Sequence, residues 1–224
     1  VEVKREIFAN LDEVSPGDAT LASSSSAIAC SAFAADLSGR ERCLVVHPGN
    51  PPYLLPVVEI VPAPFTAVSA VERVEALMRS AAMTPVRVRQ EVEGFVFNRL
   101  QGALLREAYC LVRDGVITPR DLDMLVSRGL GRRWSVIGPF ATAELNTRGG
   151  IREHARRLGP AYARMGAERG QADPWTDDLV EAVAVDLERA YPSDQWEDHI
   201  RARDRALMIL ERCRRDEARL TEGL

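Results

Sequence analysis

The sequence predicts an α/β domain followed by an all-α domain, and two patterns carry this prediction. Over residues 1–90, short and continuously apolar runs bounded by turn residues alternate with helical periodicity, which is typical of strands in a buried, mostly parallel sheet. From residue 91 onward, long stretches of helical periodicity follow one another without a further convincing strand. We therefore predict a boundary near Gln90, with an α/β domain at residues 1–90 and a helical domain at residues 91–224.

Composition and charge indicate that the protein binds neither nucleic acid nor a membrane. The 224 residues include 29 basic and 33 acidic side chains, a formal net charge of −4, which is not the basic footprint of a nucleic-acid binder. No apolar run approaches the roughly 20 residues of a membrane span, so we expect neither nucleic acid nor a membrane as partner. The cysteines have no C-x-x-C pair and no zinc-like spacing, which suits a reduced, cytoplasmic protein without a metal site; they are Cys30, Cys43, Cys110 and Cys213.

The chain opens inside a helical pattern. Residues 1–11 place apolar side chains at amphipathic spacing, with no capping residue ahead of them. The segment has neither the apolar run nor the cleavage site of a signal peptide. We therefore expect further residues upstream of Val1 in the parent protein, which would make this chain an N-terminally truncated fragment.

Four strands with two helices between them are predicted in the first domain. One apolar run ends at four consecutive serines, Ser23 to Ser26, and the next ends at a His-Pro-Gly-Asn-Pro sequence that starts at His47. A third run ends at Pro62. Residues of these kinds terminate strands and form turns. The predicted strands are 19–22, 43–46, 57–61 and 85–88, and the predicted helices are 29–37 and 66–82.

Helices make up the whole of the predicted second domain. The first of them ends at Asp114–Gly115 and has one leucine face, formed by Leu100, Leu104 and Leu111. Thr118 followed by Pro119 is a helix start signal, and we expect that helix to end near Arg128, before the glycines that follow. Two further helices are predicted to begin at Trp175 and near Ser193.

Two loops are the candidate positions for a ligand, because ligands in open α/β sheets bind beyond the carboxyl ends of the strands. One is the serine loop, defined as Ser23 to Ser26, and the other starts at His47. The serines have a second interpretation, since they could merely cap the following helix. The imidazole of His47 can exchange a proton near neutral pH, although a purely structural histidine is an equal alternative for that residue taken alone.

Glu59 interrupts an otherwise apolar strand, which makes it a candidate functional carboxylate. A buried carboxylate must be paired or protonated, and His47 lies twelve residues earlier, on the neighbouring segment. A glutamate bonded to one imidazole nitrogen would fix the tautomer and raise the basicity of the other nitrogen, so the pair predicts acid–base chemistry. The other histidines, His154 and His199, lie in charged helical contexts and are predicted at the surface.

Four motifs, in order, resemble those of the 3-hydroxyacyl-CoA dehydrogenase family, in particular its lambda-crystallin branch. The motifs are Leu-Ala-Ser-Ser-Ser-Ser at 21–26, His-Pro-Gly-Asn-Pro at 47–51, Val-Val-Glu-Ile-Val at 57–61 and Glu-Gly-Phe-Val-Phe-Asn-Arg-Leu at 93–100. The similarity covers roughly residues 1–150 and is looser in the tail. Four ordered motifs at near-family spacing are much more specific than any one of them.

The resemblance implies a fold, a cofactor and roles for individual residues. The fold would be the C-terminal half of a Rossmann-like NAD-binding domain, followed by a helical substrate and dimerisation domain of the 6-phosphogluconate dehydrogenase type that pairs two subunits. His47 matches the family's catalytic base and Glu59 the residue that orients it, while Ser26 and Asn98 match residues on the substrate side. The positions that match contacts to NAD are Lys4, Ser26 and Asn50.

The implied function is NAD-dependent oxidation of the C3 hydroxyl of an L-3-hydroxy acid such as L-gulonate. A 3-hydroxyacyl-CoA substrate is the alternative within the same chemistry, and a non-catalytic, dimerising crystallin-like protein is the alternative of another class. No G-x-G-x-x-G occurs in the sequence, and Gly129-Leu130-Gly131 lacks the third glycine. We therefore expect this fragment alone to bind NAD weakly and to be inactive.

Overall fold

The computed structural model describes residues 1–135, 138–147 and 150–169, together with positions 178, 192–195, 198, 201–202, 205, 208–210 and 212–213. The described residues form two compact units that divide between Gly102 and Ala103, and those from Arg201 onward belong to the first unit. The domain boundary expected near Gln90 lies before this division and stays a prediction. None of the described helices is long and apolar enough to cross a membrane.

The first unit contains a four-stranded sheet in the order β1-β2-β3-β4. The strands are β1 (Leu21–Ser23), β2 (Cys43–Pro48), β3 (Val57–Pro62) and β4 (Thr84–Arg87). The sheet is mostly parallel, as predicted, since β1 pairs with β2 and β3 with β4 in parallel. The middle pair, β2 with β3, is antiparallel, which was not expected. Residues 49–56 are too few for a parallel crossover, which needs about a dozen residues or more.

Helices cover both faces of this sheet. They are α1 (Glu2–Val14), α2 (Ser31–Ala34) and α3 (Val68–Ser80), with a 3-10 turn at Arg40–Arg42. Side chains alternate between the two faces of a strand. Val45 and Val61 accordingly join the apolar cluster that includes α1 and α2, whereas Leu44 and Ile60 join the cluster that includes α3. Strands β2 and β3 are thus buried on both sides, which is why they appear in the sequence as continuous apolar runs. Strand β4, at the side of the sheet, is largely exposed.

Three of the four cysteines lie in the interior of the protein, where burial sets their chemistry. Cys30, Cys43 and Cys110 are buried, Cys213 is exposed, and none of the four forms a disulfide bond. Loss of solvent raises the pKa of the Cys30 thiol, and it raises the pKa of Cys43 to about 11. The buried thiols therefore act as small apolar side chains.

A buried ion pair connects α1 to the turn that precedes β2. The side chains of Arg42 and Asp12 are each only 7% exposed, and Arg42 Nη2 donates to Asp12 Oδ1 at 2.7 Å. Arg42 also donates to the carbonyl oxygens of Asp12 and Pro16, at 2.7 and 2.5 Å. The Gly39 amide donates to the other carboxylate oxygen of Asp12 at 3.0 Å. These hydrogen bonds give the buried charges of the pair partners, which offsets the cost of removing them from water.

Asp12 is expected to make the fold sensitive to acid. The hydrogen bond from the Gly39 amide, followed by that from Arg42, holds the pKa of Asp12 below its usual value. A carboxyl whose folded-state pKa is lowered stabilises the fold above its unfolded-state pKa, and this contribution is lost as the pH falls through the folded-state pKa. Thermal melts between neutral pH and about pH 3 should show a smaller acid-induced fall in Tm for Asp12→Asn than for the unmodified protein.

The matched control for this measurement is Asp18→Asn, which alters an exposed aspartate of the same segment. That variant is expected to keep the full dependence of Tm on pH. An Asp12→Asn variant with an unchanged acid dependence would show that other carboxyl groups are responsible.

The second unit is helical where the structure describes it. α4 (Phe97–Arg113) spans the division between the units, and α5 (Pro119–Leu125), α6 (Gly131–Trp134), α7 (Pro139–Asn146) and α8 (Gly150–Arg169) follow. The start signal at Thr118 is confirmed, because its hydroxyl accepts the Asp121 amide at 3.1 Å. The helix expected from Trp175 and most of the one near Ser193 lie outside the described residues; Ser193–Gln195 is a 3-10 turn.

The helix end expected near Arg128 is wrong. After α5 the chain continues through a π-helical turn, Val126–Leu130, directly into α6. A glycine commonly ends a helix by taking a positive φ at the position after it, and Gly131 instead has a φ of −64°. Gly115, which follows α4, does take a positive φ of 68°, so the helix end expected there is confirmed.

Candidate active site

The carboxyl ends of β1 and β2 lie at one edge of the sheet. The two strands are parallel, and Ser23 of β1 is aligned with Val45 of β2. The chain therefore leaves both strands in the same direction, into the serine loop after β1 and into the segment after His47 in β2. This edge is where an α/β sheet ordinarily binds its ligands.

His47 and Glu59 form a buried pair at this edge. They face each other directly in the antiparallel register of β2 and β3. His47 Nδ1 lies 2.7 Å from Glu59 Oε2, and the two residues are only 7% and 5% exposed. The contact expected from the sequence is present, and the unexpected antiparallel pairing is what makes it.

The second oxygen of Glu59 is held by the start of helix α4. The backbone amides of Val96 and Phe97 donate to Glu59 Oε1 at 2.8 and 3.0 Å. Val96 directly precedes α4 and Phe97 is its first residue, and N–H groups at the start of a helix have no internal acceptor. One carboxylate thus accepts three hydrogen bonds, and a buried negative charge is stable when it is compensated in this way.

The amide donors were missed by sequence reasoning. The available signal was the Glu-Gly-Phe sequence at 93–95, since a glycine directly ahead of a helix marks a turn. Phe95, in that turn, is fully buried, with its ring centroid 5.6 Å from that of His47. The Phe97 ring lies 6.3 Å from the imidazole at an interplanar angle of 85°. The imidazole thus lies between the hydrogen-bonded carboxylate and two neighbouring aromatic rings.

This arrangement assigns a tautomer to His47. An ionised carboxylate can only accept hydrogen bonds, so the contact with Glu59 Oε2 places the neutral imidazole's proton on Nδ1. Nε2 then carries the free electron pair and can accept a proton. The imidazolium that would result faces the carboxylate, which stabilises it. The pair can therefore serve as a general base with a built-in counter-charge.

Asn98 and Ser26 are brought together, although not through the serine hydroxyl. Asn98 Nδ2 donates to the backbone carbonyl of Ser26 at 2.6 Å, and Ser26 itself is exposed. None of the serines in this loop caps helix α2, whose N-cap residue is Cys30 without a side-chain hydrogen bond. Ser25 Oγ instead accepts the Ile28 amide at 3.2 Å within the loop. Ser26 is thus an exposed serine of this loop and lies beside Asn98.

Lys4 contacts the serine loop at its first residue. Its Nζ donates to Ser23 Oγ at 3.0 Å and lies 5.7 Å from the ring centroid of Phe33. Asn50 lies just after β2 and is exposed. Of the remaining histidines, His154 is partly buried, with Nδ1 3.3 Å from the hydroxyl of Thr147, and His199 lies outside the described residues.

Comparison with known proteins places two family models along the chain. The model for 3-hydroxyacyl-CoA dehydrogenase, NAD binding domain, matches residues 1–92. The model for 3-hydroxyacyl-CoA dehydrogenase, C-terminal domain, matches residues 94–190. The two matches are consecutive and together cover most of the sequence.

Individual relatives agree with these matches. A lambda-crystallin homolog from Rattus norvegicus is 40% identical over 91% of this chain and 63% of its own length. An L-carnitine dehydrogenase from Pseudomonas sp is 41% identical over 72% of this chain and 50% of its own length. The crystal structure of 5-formyl-3-hydroxy-2-methylpyridine 4-carboxylic acid 5-dehydrogenase, an NAD+-dependent dismutase, superposes with a TM-score of 0.81 at 30% identity, over 95% of this chain and 69% of that one. The chain thus spans less than two thirds of the length of both curated relatives.

Proposed function

The chain belongs to the 3-hydroxyacyl-CoA dehydrogenase family, and from this premise we propose that it carries the acid–base pair of an NAD-dependent dehydrogenase. The proposed reaction is oxidation of the C3 hydroxyl of a free L-3-hydroxy acid, with L-gulonate as the substrate. The observation that carries the proposal is the buried His47–Glu59 pair, which leaves His47 Nε2 as a proton acceptor. The same premise supports a homodimer paired through the helical domain.

Each residue of the proposed site has one task. His47 Nε2 takes the proton of the substrate hydroxyl, and Glu59 stabilises the imidazolium that forms. Ser26 and Asn98 hold the substrate oxygen; their proximity supports this role, since Asn98 already donates to the serine loop and an amide nitrogen carries two N–H groups. The chemistry that NAD supplies when bound is acceptance of the hydride that leaves C3.

The residues proposed to hold NAD are Lys4, Ser26 and Asn50. Lys4 donates to Ser23 Oγ at the end of β1, and Ser26 and Asn50 are exposed beyond the carboxyl ends of β1 and β2. A cation suits the pyrophosphate of a dinucleotide, and exposed hydroxyl and amide groups suit its ribose hydroxyls. The chemistry of these side chains therefore fits the polar groups of the cofactor.

One relative supports a free hydroxy acid rather than a CoA thioester as the substrate. The L-carnitine dehydrogenase, by its name, acts on a free 3-hydroxy acid, and it is 41% identical to this chain. The thioester remains the second candidate because the family models are those of 3-hydroxyacyl-CoA dehydrogenase. Both substrates present a secondary alcohol at C3 to the same base, so the His47–Glu59 pair does not distinguish them.

Substrate assays test this proposal. The protein expressed from its complete reading frame is incubated with NAD and either L-gulonate or 3-hydroxybutyryl-CoA, and NADH is followed by its absorbance. We expect turnover with L-gulonate. Turnover with the acyl-CoA alone would show that the substrate is the thioester rather than L-gulonate, and the proposed reaction type would still hold. A folded protein that turns over neither compound would favour the non-catalytic, crystallin-like alternative.

A further inference from the structure

The turn that precedes helix α4 has an unusual backbone. Gly94 has a φ of +74° and Phe95 a φ of +49°, so two consecutive residues are left-handed. Glycine adopts this conformation readily, whereas a bulky residue with a positive φ is a genuine outlier. Phe95 is nonetheless fully buried, and its amide closes the turn by donating to the Val92 carbonyl at 3.1 Å. Strained backbone of this kind persists where its surroundings hold it in place, and it concentrates at functional sites.

The turn determines where the first amides of α4 point. Directly after it, the amides of Val96 and Phe97 reach Glu59 Oε1, although these residues follow Glu59 by 37 and 38 positions in the chain. The carbonyl of Val96 already accepts the Leu100 amide at 3.0 Å, so helical geometry begins immediately at this point. A turn with ordinary φ values would lead the chain away in another direction and would remove both donors from the carboxylate.

Two donors on Oε1 fix the orientation of the whole carboxylate. The terminal torsion of a glutamate is broad and roughly two-fold, so a single contact with His47 would leave the group free to rotate. With Oε1 held by the helix, Oε2 faces His47 Nδ1 at 2.7 Å. We propose that the Gly94–Phe95 turn is a positioning device for the His47–Glu59 pair, which holds Glu59 through the amides of Val96 and Phe97 and thereby keeps the His47 proton on Nδ1.

Any effect of the Gly94–Phe95 turn on catalysis rests on the proposed function. Its effect on the tautomer of His47 does not depend on that function. The test therefore reads the tautomer directly, from the ¹⁵N chemical shifts of the histidine rings at alkaline pH, where the imidazole is neutral. The variant is Gly94→Ala. A Cβ at Gly94 would meet the Asn98 Cβ at 3.6 Å, an ordinary contact, so this substitution acts through the strained φ rather than through a clash.

Gly115→Ala is the matched control. Gly115 has a φ of +68° at the other end of α4, and a Cβ there would meet nothing within 4 Å. Both alanines carry a comparable backbone strain, so we expect a similar fall in Tm in the two variants. Only Gly94→Ala is expected to replace the Nδ1–H pattern of His47 by a mixture of the two tautomers. If Gly94→Ala kept the pattern of the unmodified protein at a lowered Tm, the turn would be merely structural and the proposal overturned.

Two further measurements keep the test informative should Gly94→Ala fold poorly. In the unmodified protein, hydrogen exchange should be slow at the amides of Val96 and Phe97, although first-turn amides of a helix lack internal acceptors; rapid exchange at both would overturn the proposal. In Glu59→Gln, the side-chain amide can donate to Nδ1 and should shift the His47 proton to Nε2. No shift in that variant would show that Glu59 does not set the tautomer.

The outcomes separate this inference from the proposed function. A protein that shows the Nδ1–H tautomer and the protected amides, yet oxidises no hydroxy acid, would refute the proposed reaction and leave the positioning role standing. A protein that oxidises L-gulonate but shows a mixture of His47 tautomers would support the proposed reaction and refute the positioning role.

Discussion

Replacing His47 with asparagine is expected to lower kcat about 10²- to 10⁴-fold, the usual contribution of a general base. The loss follows from the position of His47, whose Nε2 is the proton acceptor left by the contact with Glu59. An asparagine amide can still donate to the Glu59 carboxylate, so the buried charge keeps a partner and the fold should survive. NAD affinity is expected to change little, because His47 is not among the residues proposed to hold the cofactor.

Two measurements on the protein from the complete reading frame check this expectation. Initial rates of NADH formation with L-gulonate give kcat, and calorimetric titration gives the Kd of NAD. His154→Asn is the matched control, because it makes the same substitution on helix α8 and should leave both values unchanged. Turnover retained in His47→Asn would remove His47 from the mechanism. A joint loss of kcat and NAD binding would show that His47 supports the cofactor site instead.

Replacing Arg42 with methionine is expected to reduce the free energy of unfolding by about 3–5 kcal/mol, the usual cost of removing one partner from a buried ion pair. The substitution leaves the Asp12 carboxylate buried and without its cation. It also removes the donors to the carbonyl oxygens of Asp12 and Pro16. Methionine preserves much of the apolar stem of the arginine, so the loss reports the polar contacts rather than a cavity.

Arg87→Met is the matched control for the second prediction. Arg87 donates to Glu75 at 2.7 Å, but its side chain is 43% exposed, and Glu75 retains Arg79 at 3.3 Å. Solvent screens exposed ion pairs, so this variant should lose little stability. Urea unfolding of both variants measures the difference. Equal losses in the two would contradict a special contribution from the buried pair.

The strands and the candidate base were predictable from the sequence for local reasons. A strand buried on both faces must be apolar along its length, so residues 43–46 and 57–61 are recognisable without any knowledge of their neighbours. Glu59 stands out in such a strand because a buried carboxylate needs a partner, and His47 was the suitable partner nearby. The four ordered motifs then indicated the family, which the consecutive matches to residues 1–92 and 94–190 bear out.

Helix ends show where local prediction stops. Gly115 and Gly131 are the same residue type in similar helical surroundings, yet Gly115 ends α4 with a positive φ, whereas Gly131 has a φ of −64° and continues the helix. Glycine permits both conformations at nearly equal cost. The residue type alone therefore does not decide whether a helix ends at a glycine or continues through it.

The sequence by itself determined the four strands of the first domain, the approximate positions of its helices and the need of Glu59 for a partner, because burial and hydrogen-bonding requirements belong to each residue type. Apart from the His47–Glu59 pair, which the sequence already indicated, only the tertiary structure identified the partners and how they meet. It placed β2 antiparallel to β3, so that His47 faces Glu59, and it brought the amides of Val96 and Phe97 to the same carboxylate. It also joined Asp12 to Arg42. The physical reason is that each of these contacts joins residues far apart in the chain, and such contacts depend on how whole elements pack rather than on their local periodicity.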